Sequence, residues 1–398
     1  MTTIDLYKVK ADCCGCELCA HSCPKSIIHM KPDNEGFLYP QIESDEECIN
    51  CGKCIKVCPM KSPGRIHNDI ICAYGGYVQA MNDLRNSASG GYATAISRAF
   101  INKYHGVVYG VAYSNDFSRA EYHRSTTIEG LEEYRSSKYI QAYKGDIYNN
   151  IAKDLQNGLH VLVIGLPCEI SAVYHKLGHK IDNLYTISLI CHGPTSPKVH
   201  QEYLNYLINK YNSRVSFFSV RYKLKGWKPY YIRVSFISGK HYNEEFGVSD
   251  YGIAFQYLKR PSCSTCKYKY GDEQYGLVSD LTLGDFHAVS SKMPHYSSMG
   301  VSEACVHTPK GEELINNLRS TCVVETIAMN KILTGNRALY QSIPPRANRD
   351  EFVNSFLKKG LRKACNECSI KYPILKSYYS EKYRGIVRKI LIQLNIKN

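Results

Sequence analysis

The chain has 398 residues, 44% of them hydrophobic, enough to bury a substantial core and to form two or three domains. That excludes a disordered tail and a small disulfide scaffold. Fifty Lys and Arg oppose 36 Asp and Glu, a formal net charge of +14, and 18 cysteines are an excess that needs explaining.

The charge is divided unevenly. Residues 1–60 hold 6 basic and 9 acidic side chains, whereas the stretch from Val353 holds 11 basic and 2 acidic ones. An acidic module is therefore joined to a basic one, and charge alone does not choose between phosphorylated cofactors, protein partners, lipid and nucleic acid. Met1 to Cys13 has no basic segment leading into an apolar one, and no apolar run of roughly 18 residues occurs. A cytoplasmic chain without a transmembrane helix is expected, and there so many thiols read as metal ligands or redox groups.

The first 60 residues contain an internal repeat. Cys13, Cys16, Cys19, Cys23 and Pro24 have the spacing C-x2-C-x2-C-x3-C-P, and Cys48, Cys51, Cys54, Cys58 and Pro59 repeat it. Three thiolates so close together wrap one iron–sulfur cube, while the fourth, directed away by its proline, ligates the other cube. This predicts one 4Fe–4S cluster on Cys13, Cys16, Cys19 and Cys58 and a second on Cys48, Cys51, Cys54 and Cys23. Gly15, Ala20 and Gly52 allow close backbone approach to cluster sulfurs. Paired zinc sites would use two-and-two spacing instead. The segment resembles a bacterial-type two-cluster ferredoxin, an α+β head. Cys14 is extra to the spacing and is expected to be a bystander, and Ser62-Pro63-Gly64 reads as the domain boundary.

From Cys72 onward, helix and strand patterns alternate. Ser89-Gly90-Gly91 opens an apolar helix, Tyr92 to Tyr104, followed by a strand through Gly106 to Tyr113. A helix from Asp146 to Gln156 precedes the buried strand His160–Ile164; the run Tyr185 to Ile190 leads to a helix from Pro197 to about Tyr211. Such repetition predicts an α/β domain with a mixed, largely parallel sheet, to which Val215–Phe246 adds antiparallel strands.

In these sheets chemistry collects beyond the carboxyl ends of the strands, where Cys168 and Cys191 fall. Cys263 and Cys266 form a later C-x2-C pair. These four suggest a third 4Fe–4S site, against the alternatives of zinc on the same ligands or buried free thiols.

Ser87-Ala88-Ser89-Gly90-Gly91, Ser136-Ser137-Lys138-Tyr139, Gly165-Leu166-Pro167-Cys168-Glu169, Leu189-Ile190-Cys191-His192-Gly193, Arg260-Pro261-Ser262-Cys263 with Cys266, and Ser279 to Phe286 are similar, in order, to the signatures of the beta subunit family of coenzyme F420-reducing hydrogenases and F420-dependent dehydrogenases. The resemblance spans about residues 72–345. It implies an FAD site, iron–sulfur clusters and hydride exchange with a deazaflavin; bacterial relatives also resemble proteins encoded among surface-polysaccharide genes. Leu166-Pro167-Cys168 departs from the Thr-Pro-Cys of many relatives, which removes a hydroxyl near the cofactor.

No G-x-G-x-x-G and no P-loop occurs, so the implied FAD needs another phosphate cradle. Ser89, Gly90 and Gly91 offer unhindered N–H groups at a helix start, or else form an N-cap turn. Lys138 would pair with a phosphate or the reduced flavin, or else is a solvated lysine. Asp285 would hold an FAD or substrate group, or else caps the next segment. His192 either tunes the neighbouring cluster or is structural.

The expected organisation is a two-cluster head (1–66), an FAD-binding domain (67–345, in parts of about 67–180 and 181–345) and a basic helical extension (346–398). The expected function is FAD and iron–sulfur dependent oxidoreduction, with ferredoxin or a partner redox subunit on one side and coenzyme F420 or another small hydride carrier or substrate on the other. The alternatives are an electron-relay subunit of a larger complex and a ferredoxin-dependent reductase in surface-polysaccharide synthesis. No nucleic-acid module accompanies the charge. Ile386, Val387, Ile390, Leu391 and Leu394, with Arg384, Arg388 and Lys389, suggest a basic amphipathic helix for packing or peripheral membrane contact. Cys365 and Cys368 are a lone C-x2-C.

Overall fold

The computed structural model describes residues 4–62, 68–178 and 181–371, with side chains to residue 368. Pro63-Gly64 and the proposed amphipathic helix of the tail lie outside the described residues.

The sequence repeat of the head is also a backbone repeat. Gly15 (φ +72°) and Glu17 (φ +67°) lead into α1 (Leu18–Ser22), and their counterparts Asn50 (φ +50°) and Gly52 (φ +67°) lead into α2 (Lys53–Lys56). With a left-handed residue on each side of Cys16, the backbone N–H groups of Gly15 and Leu18 face the Cys13 and Cys16 thiols, an arrangement suited to anionic sulfur. Glu17 is the costly member, because its Cβ crowds the carbonyl there. Its carboxylate is fixed by accepting from the Lys144 backbone N–H at 3.3 Å. Between the two runs, β1 (Ile28–Pro32) and β2 (Leu38–Ile42) form an antiparallel pair with Ile28 opposite Ile42.

The body begins with β3 (Cys72–Val78), α3 (Met81–Asn86), α4 (Tyr92–Tyr104), β4 (Val107–Tyr113), β5 (Ala120–Ser125), α5 (Ile147–Gln156), β6 (Val161–Gly165), α6 (Pro167–Leu177), β7 (Leu184–Leu189) and α7 (Pro197–Tyr211). There follow β8 (Val215–Tyr222), β9 (Tyr231–Phe236), β10 (His241–Glu245), α8 (Asp250–Tyr257), β11 (Leu281–Asp285), β12 (Ser302–Val306), α9 (Pro309–Asn316), β13 (Cys322–Thr326), α10 (Met329–Gly335), α11 (Arg349–Lys359) and α12 (Leu361–Lys371). The main sheet has eight strands in the order β13-β3-β12-β11-β7-β6-β4-β5.

Two expectations need correction. Only the centre, β4, β6, β7 and β11, is parallel; four pairings are antiparallel, so the sheet is mixed without being largely parallel. A six-residue turn sends β5 straight back along β4, and β12 likewise runs back along β11 without a crossover helix, which parallel pairing requires. Second, β8–β10 do not extend this sheet. They form their own three-stranded antiparallel sheet, because Phe218, Val220, Ile232 and Val234 bury their face against α7 and α8 residues such as Val199, Leu207 and Ile253.

The head shares the core of the body. Leu18, fully buried, packs with Ile147, Ile151 and Ile170 of α5 and α6, while Phe37 and Tyr39 join the cluster on α7 and α8. Polar stitches reinforce this contact: Tyr148 Oη donates to Cys16 O (2.6 Å), Tyr268 Oη to Pro59 O (2.9 Å) and Tyr275 Oη to Met60 O (2.9 Å). The described part of the extension also packs inward, with Phe352, Phe356, Leu361 and Ala364 buried. Cys365 is buried there and its thiol donates to Asp250 O at 3.3 Å.

Candidate functional site

The eight cysteines of the repeat line two cavities. One is lined by Cys48, Cys51, Cys54 and Cys23, with Ile4, Ile27, Ile28 and Ile42 supplying an apolar wall. The other is lined by Cys13, Cys16, Cys19 and Cys58. The fourth cysteine of each run thus stands with the three of the other, as the exchanged spacing implies. Cys54 borders both cavities, and Cys51 is exposed. Burial pushes the Cys13 thiol up to about 11 and raises Cys19 and Cys58. Left alone these groups stay protonated; a metal that binds them must displace the protons. Among the described residues no three His, Cys, Asp or Glu are gathered as on a single ion.

The four dispersed cysteines lie on neighbouring segments of the body, within electrostatic reach of one another in pairs. Cys168 sits in the first turn of α6, whose start is braced by the buried Lys144–Glu169 ion pair (2.7 Å) and by Tyr122 Oη donating to Glu169 (2.7 Å). Cys191 follows β7, and its sulfur accepts from the Gly193 N–H at 3.3 Å. Gly193 has φ +91°, and a Cβ there would stand 3.1 Å from Cys263 Sγ, so glycine is needed for both conformation and space. Cys263 lies within electrostatic reach of Cys191 and Cys266, and Cys168 of Cys266. Lys269 Nζ donates to Cys191 O (3.2 Å), and Lys259 also faces Cys191 and Cys263. His192 is exposed.

Cys14 is not a bystander. It lines the second cavity, its thiol interacts electrostatically with those of Cys16 and Cys168, and it packs in the same cluster as Cys266. It is the thiol that joins the head to the dispersed set. Its doubled position beside Cys13 was the only sequence signal.

The residues expected at a flavin divide into two groups. Gly90 and Gly91 are committed to packing: a Cβ on Gly90 would be 2.3 Å from Gly76 O, and one on Gly91 2.7 Å from Val78 Cγ1. The N-cap of α4 is Gly91, at φ +88°, and the Ser89 hydroxyl instead donates to Val301 O (2.7 Å). An open phosphate cradle at this turn does not fit. Ser89 and Asp285 do meet, and Asp285 accepts from Arg221 at 2.7 Å, which holds its carboxyl below the usual range despite burial. Lys138 lies apart, donating to Glu133 O (2.8 Å) and Arg135 O (2.9 Å).

Sequence reasoning missed the cations of this region. Arg221 and Lys223, on one face at the end of β8, are 6% and 4% exposed. Lys223 donates to Leu84 O and Ser89 O (2.6 Å each), and burial pushes its pKa down to about 7. Arg221 Nε and Trp227 Nε1 are buried donors without a partner among the described residues. Orphan donors beside buried cations fit an anionic, acceptor-rich ligand such as a flavin dinucleotide better than the glycine turn does. The alternating Arg221-Tyr222-Lys223 followed by Gly226-Trp227-Lys228 is the pattern that could have revealed them.

Residues 159–332 match the family model for the C terminus of the coenzyme F420 hydrogenase/dehydrogenase beta subunit, and residues 12–62 match the 4Fe-4S dicluster domain. Over 60 residues the chain is 30% identical to the ketoisovalerate oxidoreductase subunit VorC of Methanothermobacter marburgensis, covering 15% of this chain and 75% of that one. A chain of the xenon-derivatised F420-reducing [NiFe] hydrogenase complex from Methanosarcina barkeri superposes with a TM-score of 0.46 at 15% identity, over 80% of this chain and 97% of that one. The protein thus carries the C-terminal domain of the coenzyme F420 hydrogenase/dehydrogenase beta subunit family over residues 159–332, preceded by an N-terminal 4Fe-4S dicluster domain over residues 12–62.

Proposed function

We propose that the protein is an iron–sulfur flavoprotein oxidoreductase that converts between single-electron and hydride chemistry. The observation that carries this reading is the sorting of cysteines: two sets of four around two cavities, and a third set reached through Cys14. In this reading Cys48, Cys51, Cys54 and Cys23 hold an outer 4Fe–4S cluster whose exposed Cys51 faces ferredoxin or a partner redox subunit. Cys13, Cys16, Cys19 and Cys58 hold an inner one, and Cys168, Cys191, Cys263 and Cys266 a third. Lys259 and Lys269 offset the negative charge of that third thiolate set.

FAD, when bound, supplies the two-electron step, since it accepts a hydride that one-electron carriers cannot. Arg221, Lys223 and Trp227 bind and orient an anionic cofactor or substrate, and Asp285 fixes the Arg221 fork. Two of the five cofactor positions expected from the sequence, Ser89 and Asp285, stay in this reading; Gly90, Gly91 and Lys138 leave it. The hydride partner is coenzyme F420 or another small carrier. That the relative VorC is named as one subunit of an oxidoreductase favours a partner subunit on the head, and makes a pure relay the second reading.

The two readings separate in one assay. The chain alone, reconstituted anaerobically with iron, sulfide and FAD, is expected to bind flavin and to exchange hydride with a deazaflavin or nicotinamide when reduced ferredoxin is supplied. Full iron loading without flavin binding and without turnover on any of these carriers would leave the relay reading.

A further inference from the structure

Arg260 is the largest fully buried side chain of the described residues, 1% exposed, and none of its hydrogen-bond partners is a carboxylate. Its Nε donates to Cys13 O (2.8 Å), one terminal nitrogen to Gln141 Oε1 (3.1 Å), and the other to Leu38 O (2.9 Å) and Cys13 Sγ (3.4 Å). The guanidinium lies 4.1 Å from the Tyr39 ring centroid. Gly15 leaves room for it, since a Cβ there would be 2.7 Å from the guanidinium nitrogen.

A guanidinium does not lose its proton in a protein, and burying it with only neutral acceptors is unfavourable. Glu17 and Cys14 lie within electrostatic reach of Arg260, but neither is among its hydrogen-bond partners. The contacting acceptor that a bound cluster would make anionic is the Cys13 sulfur, which already accepts from Arg260. The same residue opens the Arg260-Pro261-Ser262-Cys263 loop, so the cation is fixed by the loop that carries Cys263.

We propose that Arg260 sets the reduction potential of the inner head cluster. This rests on the reading that Cys13 is a cluster ligand. One-electron reduction adds a negative charge to the cluster and moves no proton: the outer cluster gives up one electron and the inner one takes it. A fixed cation and an N–H donor at a ligand sulfur stabilise the more negative state and raise the potential. Arg260 thereby favours electron transfer inward, from the cavity with exposed Cys51 toward the side facing Cys14 and Cys168.

The test is a potentiometric titration of the reconstituted full chain followed by EPR, with the signals assigned by Cys19→Ser and Cys51→Ser. In Arg260→Gln the inner cluster is expected to become harder to reduce by at least tenfold relative to the outer one, about 59 mV for a one-electron couple. Arg260→Lys, which keeps the charge and loses the fork, shifts the same way by less and stands as the test if the Gln variant does not fold. Unchanged potentials in the variant that folds, or an equal shift of both clusters, overturn the proposal. If Cys13→Ser retains full iron and an unaltered inner signal, the ligand assignment itself fails.

Discussion

The head and the body hold their cysteines in opposite ways. In the head, three cysteines of each set lie within seven residues, and their geometry is written into local backbone: left-handed turns at Gly15 and Glu17, repeated at Asn50 and Gly52. In the body, Cys168 and Cys191 follow the adjacent strands β6 and β7, and Cys263 and Cys266 come from the loop that begins at Arg260. A local site survives distortion of the rest of the fold; a dispersed one requires the whole sheet. Yet the two are not independent, because Leu18 and Phe37 of the head are buried in the cores of the body.

The contrast can be broken most severely by removing the metal. Chelation of iron is expected to leave the head's buried thiols without the ligand that organises them, and to lower thermal stability of the entire chain, followed by circular dichroism. Retention of the holoprotein's melting temperature would contradict a structural role for the clusters. Leu18→Ala comes next. Deleting a fully buried leucine costs about 2–5 kcal/mol, and because Leu18 packs on α5 and α6 the loss should appear as one shifted transition, read both by cluster absorbance and by tyrosine fluorescence. Two separated transitions would show that the head melts alone.

Gly193→Ala acts on the body alone. The left-handed backbone and the approach to Cys263 cost about 1–3 kcal/mol together, and the effect should be selective, lowering the iron bound by the dispersed set while the head keeps its own. Equal loss from both sets would contradict the division.

The smallest effect is electrostatic. Glu303, fully buried on β12 with Oε1 accepting from Asn336 (2.7 Å), has its pKa pushed up to about 8, chiefly by burial. An unfolded glutamate titrates near about 4.3, so between those values only the unfolded chain releases the proton. Glu303 therefore contributes stability below pH of about 4, lost as pH rises to about 8. Glu303→Gln should flatten this part of the pH–melting curve, and if the chain unfolds as one unit the change should be visible in the cluster absorbance of the head.

Much of this architecture is legible before any coordinates. The helices Tyr92–Tyr104 and Pro197–Tyr211 and the central strands follow from spacing and periodicity, because each is encoded within a few consecutive residues. What is not legible depends on tertiary neighbours. Nothing local says that β8–β10 leave the main sheet, that Gly90 is needed for packing on Gly76, or that Cys14 meets Cys168. Arg221 and Lys223 read as ordinary strand-end charges until burial and the orphaned Arg221 Nε mark them as a site. Arg260 reads as the residue before a proline until its partners are known.

If three sets of four cysteines each hold a cluster, iron and acid-labile sulfide counted per chain after anaerobic reconstitution should reach about twelve of each, falling to about eight in Cys263→Ser. About eight in the unaltered chain, with no change in Cys263→Ser, would contradict the third cluster, and about four or fewer would contradict the head as well.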